Sequence, residues 1–326
     1  MKPHPVLTIF LTVLPGALVP AAGASSEARA WLEQMSLAVQ SLNYRGTFVY
    51  QHEGRLEAMH IVHQSEDGVE REKLYSLTGP KREVIRDNQV VTCILGDRQA
   101  VVVNKSRPRQ PFPAGFARDI RDLEKYYGFE LAGRDRVAGL LCQLIAVQPR
   151  DRYRYGQRLC VDVDKRMLLR SELTGEQGRV IEQVMFTSIE FPEEIEEAAL
   201  RPDFQEAGFT WSRESEHEEA PRQAQWRQHW TVERVPDGFM MTDHNWHQLA
   251  AHDPGVEHWV YSDGLASVSI YVEKAKKGQE ESYRGVSRRG ALNAFGTMVN
   301  GHHVTVVGEV PPVTVEMIGR SVRYRP

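Results

Sequence analysis

The chain is poor in cysteine, carries no excess of basic charge, and has no long apolar run beyond its start. Three cysteines in 326 residues are too few for a disulfide scaffold or a four-cysteine zinc site. Lys and Arg number 40 against 44 Asp and Glu, a net charge of −4, which argues against a protein that coats nucleic acid. Past residue 20 nothing approaches the roughly 18 apolar residues of a membrane-spanning helix. Enzyme signatures are also missing: no Gly-x-Ser-x-Gly elbow, no Gly-rich phosphate loop opening a helix, and no His-Glu-x-x-His. The chain reads as a non-enzyme without a cofactor. What it does have is 41% hydrophobic and 26% charged residues, enough to bury a core, and a length that fits two domains.

The N-terminus reads as an export signal. Lys2 precedes the apolar run Val6–Val19, and Ala22-Gly23-Ala24 supplies small residues at a cleavage position. Cleavage after Ala24 is expected, with an uncleaved anchor as the alternative; no Cys follows the run, so a lipoprotein route is missing. The mature chain is then expected in an oxidising compartment. Cys142 and Cys160 lie on two apolar segments flanking a turn-rich link, where a hairpin sets the sulfurs opposite each other; two small buried core residues are the other reading. Cys93 reads as a core thiol.

Ser25 or Ser26 caps a helix in which Trp31, Leu32, Met35, Ala38, Val39 and Leu42 recur at helical spacing. Strand-like runs follow between Gly46 and Asn104, separated by Gly54, Asp67-Gly68, Gly79-Pro80, Asp87-Asn88 and Gly96-Asp97, the pattern of an antiparallel meander bent into a sandwich or barrel. Lys105–Phe116, with three prolines, reads as a long loop, and Asp119–Tyr127 as a short helix. Strands resume at Phe129–Ala132, Leu140–Gln148, Gln157–Asp162, Met167–Leu173 and Val180–Glu190. Glu193–Glu219 holds ten acidic residues against Arg201 and Arg213, the composition of a solvated connector. A second strand-rich unit begins at Trp226, in which Ser287–Met298 is left as a helix or a loop. The expected division is a signal peptide over 1–24, a large domain over 25–192, a linker over 193–225 and a small domain over 226–326.

Metal binding has little support. His244 and His247 share a face only if the segment is helical, and His60 and His63 point oppositely if theirs is a strand. Phe48, Tyr50, Met59, Ile61, Leu74, Leu77, Val84 and Ile85 come from successive strands. A half-open barrel with the first helix against it leaves them lining a cavity for acyl chains; in a closed barrel they simply fill the core. Arg150, Arg152, Arg154 and Arg158 surround one turn together with Tyr153 and Tyr155, the composition of a contact site for a protein partner or of a solvated hairpin tip.

Six stretches in order carry a family resemblance: Gly46-Thr47-Phe48-Val49-Tyr50, Thr78 to Val84, Arg150 to Tyr155, Asp162 to Leu168, Tyr261 to Ser267 and Val304 to Pro311. Together, behind a signal peptide, they resemble the RseB/MucB family of periplasmic regulators over nearly the whole mature chain. The resemblance implies an α+β, mainly antiparallel β fold: a large unclosed β-barrel like those of the LolA and LolB lipoprotein carriers, with covering helices, and a smaller β-rich C-terminal domain. It implies a periplasmic protein that binds a membrane-anchored anti-sigma factor of RseA/MucA type. It implies that the protein shields that factor from regulatory proteolysis and senses misplaced lipopolysaccharide or lipoprotein through the large domain. On this reading Phe48, Tyr50, Met59, Ile61, Leu74, Leu77 and Val84 are lipid-binding candidates, and Arg150, Arg152, Tyr153, Arg154 and Tyr155 partner-binding candidates. No nucleic acid, metal or cofactor is expected, and a homo-oligomer is compatible with the sequence. A lipid or lipoprotein carrier without a signalling partner is the alternative.

Overall fold

The first helix, α1 (Ala21–Ser41), buries Ala28, Leu32, Met35 and Val39, spaced four, three and four apart, so one apolar stripe faces the core. The computed structural model describes residues 21–88, 90–105, 119–203, 208–213, 229–247, 255–275 and 284–325. The expected export signal up to residue 20, most of the proline-rich loop, and the connector from residue 214 to its end lie outside the described residues.

After α1 the chain meanders through β1 (Tyr44–His52), β2 (Arg55–Glu66), β3 (Val69–Ser76), β4 (Arg82–Asp87), β5 (Val90–Leu95) and β6 (Ala100–Lys105). The turns Glu53-Gly54 and Asp67-Gly68 have positive φ at both residues, the geometry that matches the twist of an antiparallel hairpin. A single helical turn, α2 (Ile120–Leu123), opens with the Asp119 side chain accepting from the Arg121 amide at 3.0 Å. Five more strands follow: β7 (Tyr127–Val137), β8 (Leu140–Pro149), β9 (Gly156–Asp162), β10 (Leu168–Thr174) and β11 (Val180–Glu190). β11 returns to pair with β1, joining the two meanders. A short helix, α3 (Glu197–Leu200), and β12 (Thr210–Arg213) complete the large unit. Its sheet has twelve strands in the order β12-β6-β5-β4-β3-β2-β1-β11-β10-β9-β8-β7, unclosed, with α1 packed across its concave side between β2 and β7.

The acidic stretch read as a connector begins as part of this unit. Ile195 and Leu200 pack on Val62, Lys73 pairs with Asp203 at 2.9 Å, and β12 adds to β6 in parallel. Its charges face water while its few apolar residues hold it to the outer surface of the sheet.

The second unit has a two-stranded ribbon, β13 (Trp230–Val232) with β20 (Val322–Tyr324). Its six-stranded antiparallel sheet comprises β14 (Met240–His247), β15 (Val256–Ser262), β16 (Ser267–Lys274), β17 (Gly285–Arg289), β18 (Leu292–Val299) and β19 (His302–Gly308), followed by helix α4 (Pro312–Gly319). Trp259, Val268, Ile270, Phe295, Val304, Val306, Val315 and Ile318 form its core. The segment Ser287–Met298 is neither helix nor loop but most of the β17–β18 hairpin; Gly290 turns it at φ 58°. His244 lies on β14, so the spacing to His247 is a strand spacing, which does not put two residues on one face.

Candidate functional site

The concave face of the large sheet follows from strand register. Phe48 pairs with Met59, Ile61 with Leu74, Leu74 with Val84, and Val84 with Cys93. With a period of two, Phe48, Tyr50, Met59, Ile61, Leu74 and Val84 therefore share one face. Leu77 does not. It lies just past the end of β3, where strand alternation no longer applies, and it is 51% exposed.

The six divide further. Phe48 and Ile61 are fully buried, and Phe48 meets Phe186 edge-on at 5.8 Å. Gly46 permits this: a Cβ there would sit 2.5 Å from the Ser188 carbonyl and 3.0 Å from the Phe186 ring. Here the barrel is filled. Tyr50 carries a polar role, its hydroxyl donating to Glu182 at 2.6 Å. Met59, Leu74, Val84 and, on β5, Cys93 are only partly buried and form an apolar row toward the β6 side of the sheet. Polar groups flank the row. At one end Arg82 donates to Glu57 at 3.0 Å; at the other Glu72 is buried across from Arg86, and burial pushes its carboxyl up to about 7 against the pull of that guanidinium.

The arginine-tyrosine turn is the joint between the two units. Asp151 accepts from the Tyr153 amide at 2.8 Å and from the Arg154 side chain at 3.1 Å, which shapes the turn. Arg154 then enters the second unit: it donates to the Asp263 carboxylate at 2.7 Å and to the Asp237 carbonyl at 2.7 Å. Tyr126, Tyr127 and Phe239 rings surround its guanidinium at 5.0–5.4 Å. Asp263 is also satisfied by the Tyr127 hydroxyl at 2.9 Å and the Ala266 amide at 2.7 Å. The Tyr127 phenol is raised well above its usual range, by burial first and by the Asp263 charge second. Around this centre the Tyr155 hydroxyl accepts from Asn293 at 3.0 Å, and the Tyr153 carbonyl accepts from Thr314 at 2.7 Å.

This placement corrects the reading of the turn as one partner surface. Arg154 is 2% exposed, and Tyr153 and Tyr155 are partly buried in the same joint. Arg150 and Arg152 remain exposed; Arg150 braces the turn by donating to the Glu124 carbonyl at 3.1 Å, and Arg152 lies over the Tyr153 ring. Asp263, missed by sequence reasoning, sits in a stretch that reads as an ordinary turn, but Tyr261–Ser267 is one of the six resemblance stretches. Two of those stretches thus meet at the joint.

A second link crosses beside it. Glu182 on β11 accepts from Tyr50 and from the Ala291 amide of the β17–β18 turn at 2.9 Å. Between the two links lies a cleft of about 280 Å³, with Gln157 and Leu173 on one wall and Leu292 and Glu309 on the other. Elsewhere, Cys142 on β8 and Cys160 on β9 are joined as a disulfide, with Cα atoms 5.4 Å apart. Among the described residues no group of three His, Cys, Asp or Glu is placed to hold a metal ion.

Comparison with known proteins covers both units. A model of the MucB/RseB N-terminal domain matches residues 27–204, and one of the MucB/RseB C-terminal domain matches residues 224–323. The sigma factor AlgU regulatory protein MucB of Pseudomonas aeruginosa is 33% identical over 334 residues, covering 97% of each chain. The sigma-E factor regulatory protein RseB of Escherichia coli K12 is 26% identical, covering 98% of each. A solved complex of Pseudomonas aeruginosa MucA and MucB matches with a TM-score of 0.73 and 28% identity, covering 92% of this chain and 99% of that one.

Proposed function

The chain belongs to the MucB/RseB family, and on that premise we propose that it regulates a sigma factor by binding the periplasmic part of a membrane-anchored anti-sigma factor of RseA/MucA type. The observation that carries this reading is the likeness of both units, in one continuous chain, to a MucB solved with MucA bound. A carrier alone needs only the concave sheet; the buried joint to a second unit suits a protein that presents a fixed two-part surface to a partner.

In this reading the mature chain works in the periplasm, as a large domain that runs from residue 25 into the acidic stretch and a small domain over 226–326. While bound, it covers the anti-sigma factor's cleavage site and acts by occlusion, without chemistry of its own. Misplaced lipopolysaccharide or lipoprotein is sensed on the concave face, where Met59, Leu74 and Val84 offer apolar area to acyl chains. Burial of each CH₂ is worth about 0.8 kcal/mol, so part of one chain is enough for a usable signal. If lipid lowers affinity for the partner, the partner lowers affinity for lipid by the same factor.

The test is a protease-protection assay with the anti-sigma factor's periplasmic segment. Protection by the mature chain, relieved by added lipopolysaccharide, is the expected result. Cleavage at the same rate with and without the chain contradicts the reading.

A further inference from the structure

We propose that the cleft between the two sheets receives one basic side chain, lysine or arginine, from the segment through which the anti-sigma factor docks; the proposal rests on the function given above.

The cleft's lining is of two kinds. Leu173 on β10, Leu292 on β18 and Val307 on β19 supply aliphatic walls, which suit the methylene stem of a long charged side chain. The lining also carries acceptors on both sides. The side-chain carbonyl oxygen of Gln157 is buried there and has no hydrogen-bond partner among the described residues. A buried acceptor in that state is costly until a donor arrives. Glu309, just past β19, is the only charged residue lining the cleft among the described residues. It is exposed as a residue, yet burial of its carboxyl and, second, the nearby charge of Glu182 hold it above the ordinary carboxylate range.

The other polar groups in the lining do not reverse this balance. The Tyr127 hydroxyl donates to Asp263, and the Tyr155 hydroxyl already accepts from Asn293. Ser267 and Ser269 carry hydroxyls that serve as donor or acceptor. Arg179 and Arg288 lie near Tyr155 but do not line the cleft. An anionic ligand would meet Glu309 with Glu182 behind it, and an apolar one would leave Gln157 unsatisfied. A cation with several N–H donors on a flexible stem meets the aliphatic side chains and both acceptors together.

The test uses the full mature chain and the periplasmic segment of its cognate anti-sigma factor, titrated by calorimetry. Glu309→Gln removes the charge and keeps the shape; Gln157→Leu removes the acceptor; the melting temperature of each variant checks its fold. In parallel, each lysine and arginine of the segment is replaced by glutamine. The expected result is about tenfold weaker binding for E309Q. One segment variant should weaken binding to the wild-type chain as much and weaken binding to E309Q no further. Unchanged affinity for both E309Q and Q157L overturns the proposal while leaving the proposed function standing. No binding of the unaltered segment to the wild-type chain overturns both.

Discussion

Arg154 and Asp263, 109 residues apart in sequence, form an ion pair at 2.7 Å in which neither side chain touches solvent. Each charge is held by further partners: the Arg154 guanidinium by the Asp237 carbonyl and Asp151, the Asp263 carboxylate by Tyr127 and two backbone amides. A pair closed off this completely sets the relative orientation of the two units, because any rotation of one against the other must expose or unpair a charge.

Replacing Arg154 by Met keeps the bulk and leaves Asp263 buried without its cation. The expected cost is about 3 kcal/mol, read as a lower urea midpoint for loss of the native structure, together with a broader solution-scattering profile as the units uncouple. A loss below about 1 kcal/mol with an unchanged profile would show that the joint is held elsewhere.

The concave row and its exposed control can be separated by single charges. Leu74→Asp and Val84→Asp are expected to reduce binding of a fluorescent fatty acid at least tenfold, whereas Leu77→Asp, at an exposed position past the end of β3, leaves it unchanged. Equal effects at all three positions would argue against the concave face. Phe48 is unsuitable for this purpose, since it is fully buried against Phe186 and an aspartate there is expected to destabilise the domain.

How far the sequence led differs by element. The β1–β6 meander was legible because Gly54 and Asp67-Gly68 punctuate strands of ordinary length, and α1 because its apolar residues recur at helical spacing. The β17–β18 hairpin was not: Ser287, Arg288, Asn293, Ala294 and Gly296 give little β-propensity, and pairing with β19 imposes the strand. The exposure of Leu77 was not legible, because it falls just past the end of β3, where alternation no longer applies. The role of Arg154 was out of reach, because a turn rich in arginine and tyrosine looks alike whether it faces a partner or a second domain of its own chain.

Mass spectrometry of periplasmic material is expected to find Cys142 linked to Cys160 and Cys93 as an unlinked thiol. The bridge closes a loop with a sequence separation of 18, so replacing both residues by Ala should cost about 3 kcal/mol on the loop-entropy account. Two free thiols at 142 and 160 would contradict it.

Stability should depend on pH through the small domain. Burial pushes the Glu257 carboxyl from 4.5 up to about 8, and it faces His244 at 3.0 Å, whose own value is lowered below 6.5, first by burial. A carboxyl raised in the folded state keeps a proton that the unfolded chain releases, so its contribution is complete below about 4.5 and is lost as pH rises toward 8. His244 works in the opposite sense, gaining stability as pH rises toward 6.5. Between these limits, from about 6.5 to 8, Glu257 dominates and the melting temperature should fall. Glu257→Gln should flatten that fall; an unchanged slope would assign it to other groups.

The most direct test of the account is calorimetric titration of the mature chain with the periplasmic segment of its anti-sigma factor, repeated with lipopolysaccharide present. Binding at a one-to-one ratio that lipopolysaccharide weakens, with an equal weakening of lipid binding by the segment, is the predicted result. Acyl ligands retained with no binding to the segment would contradict the account and leave a carrier.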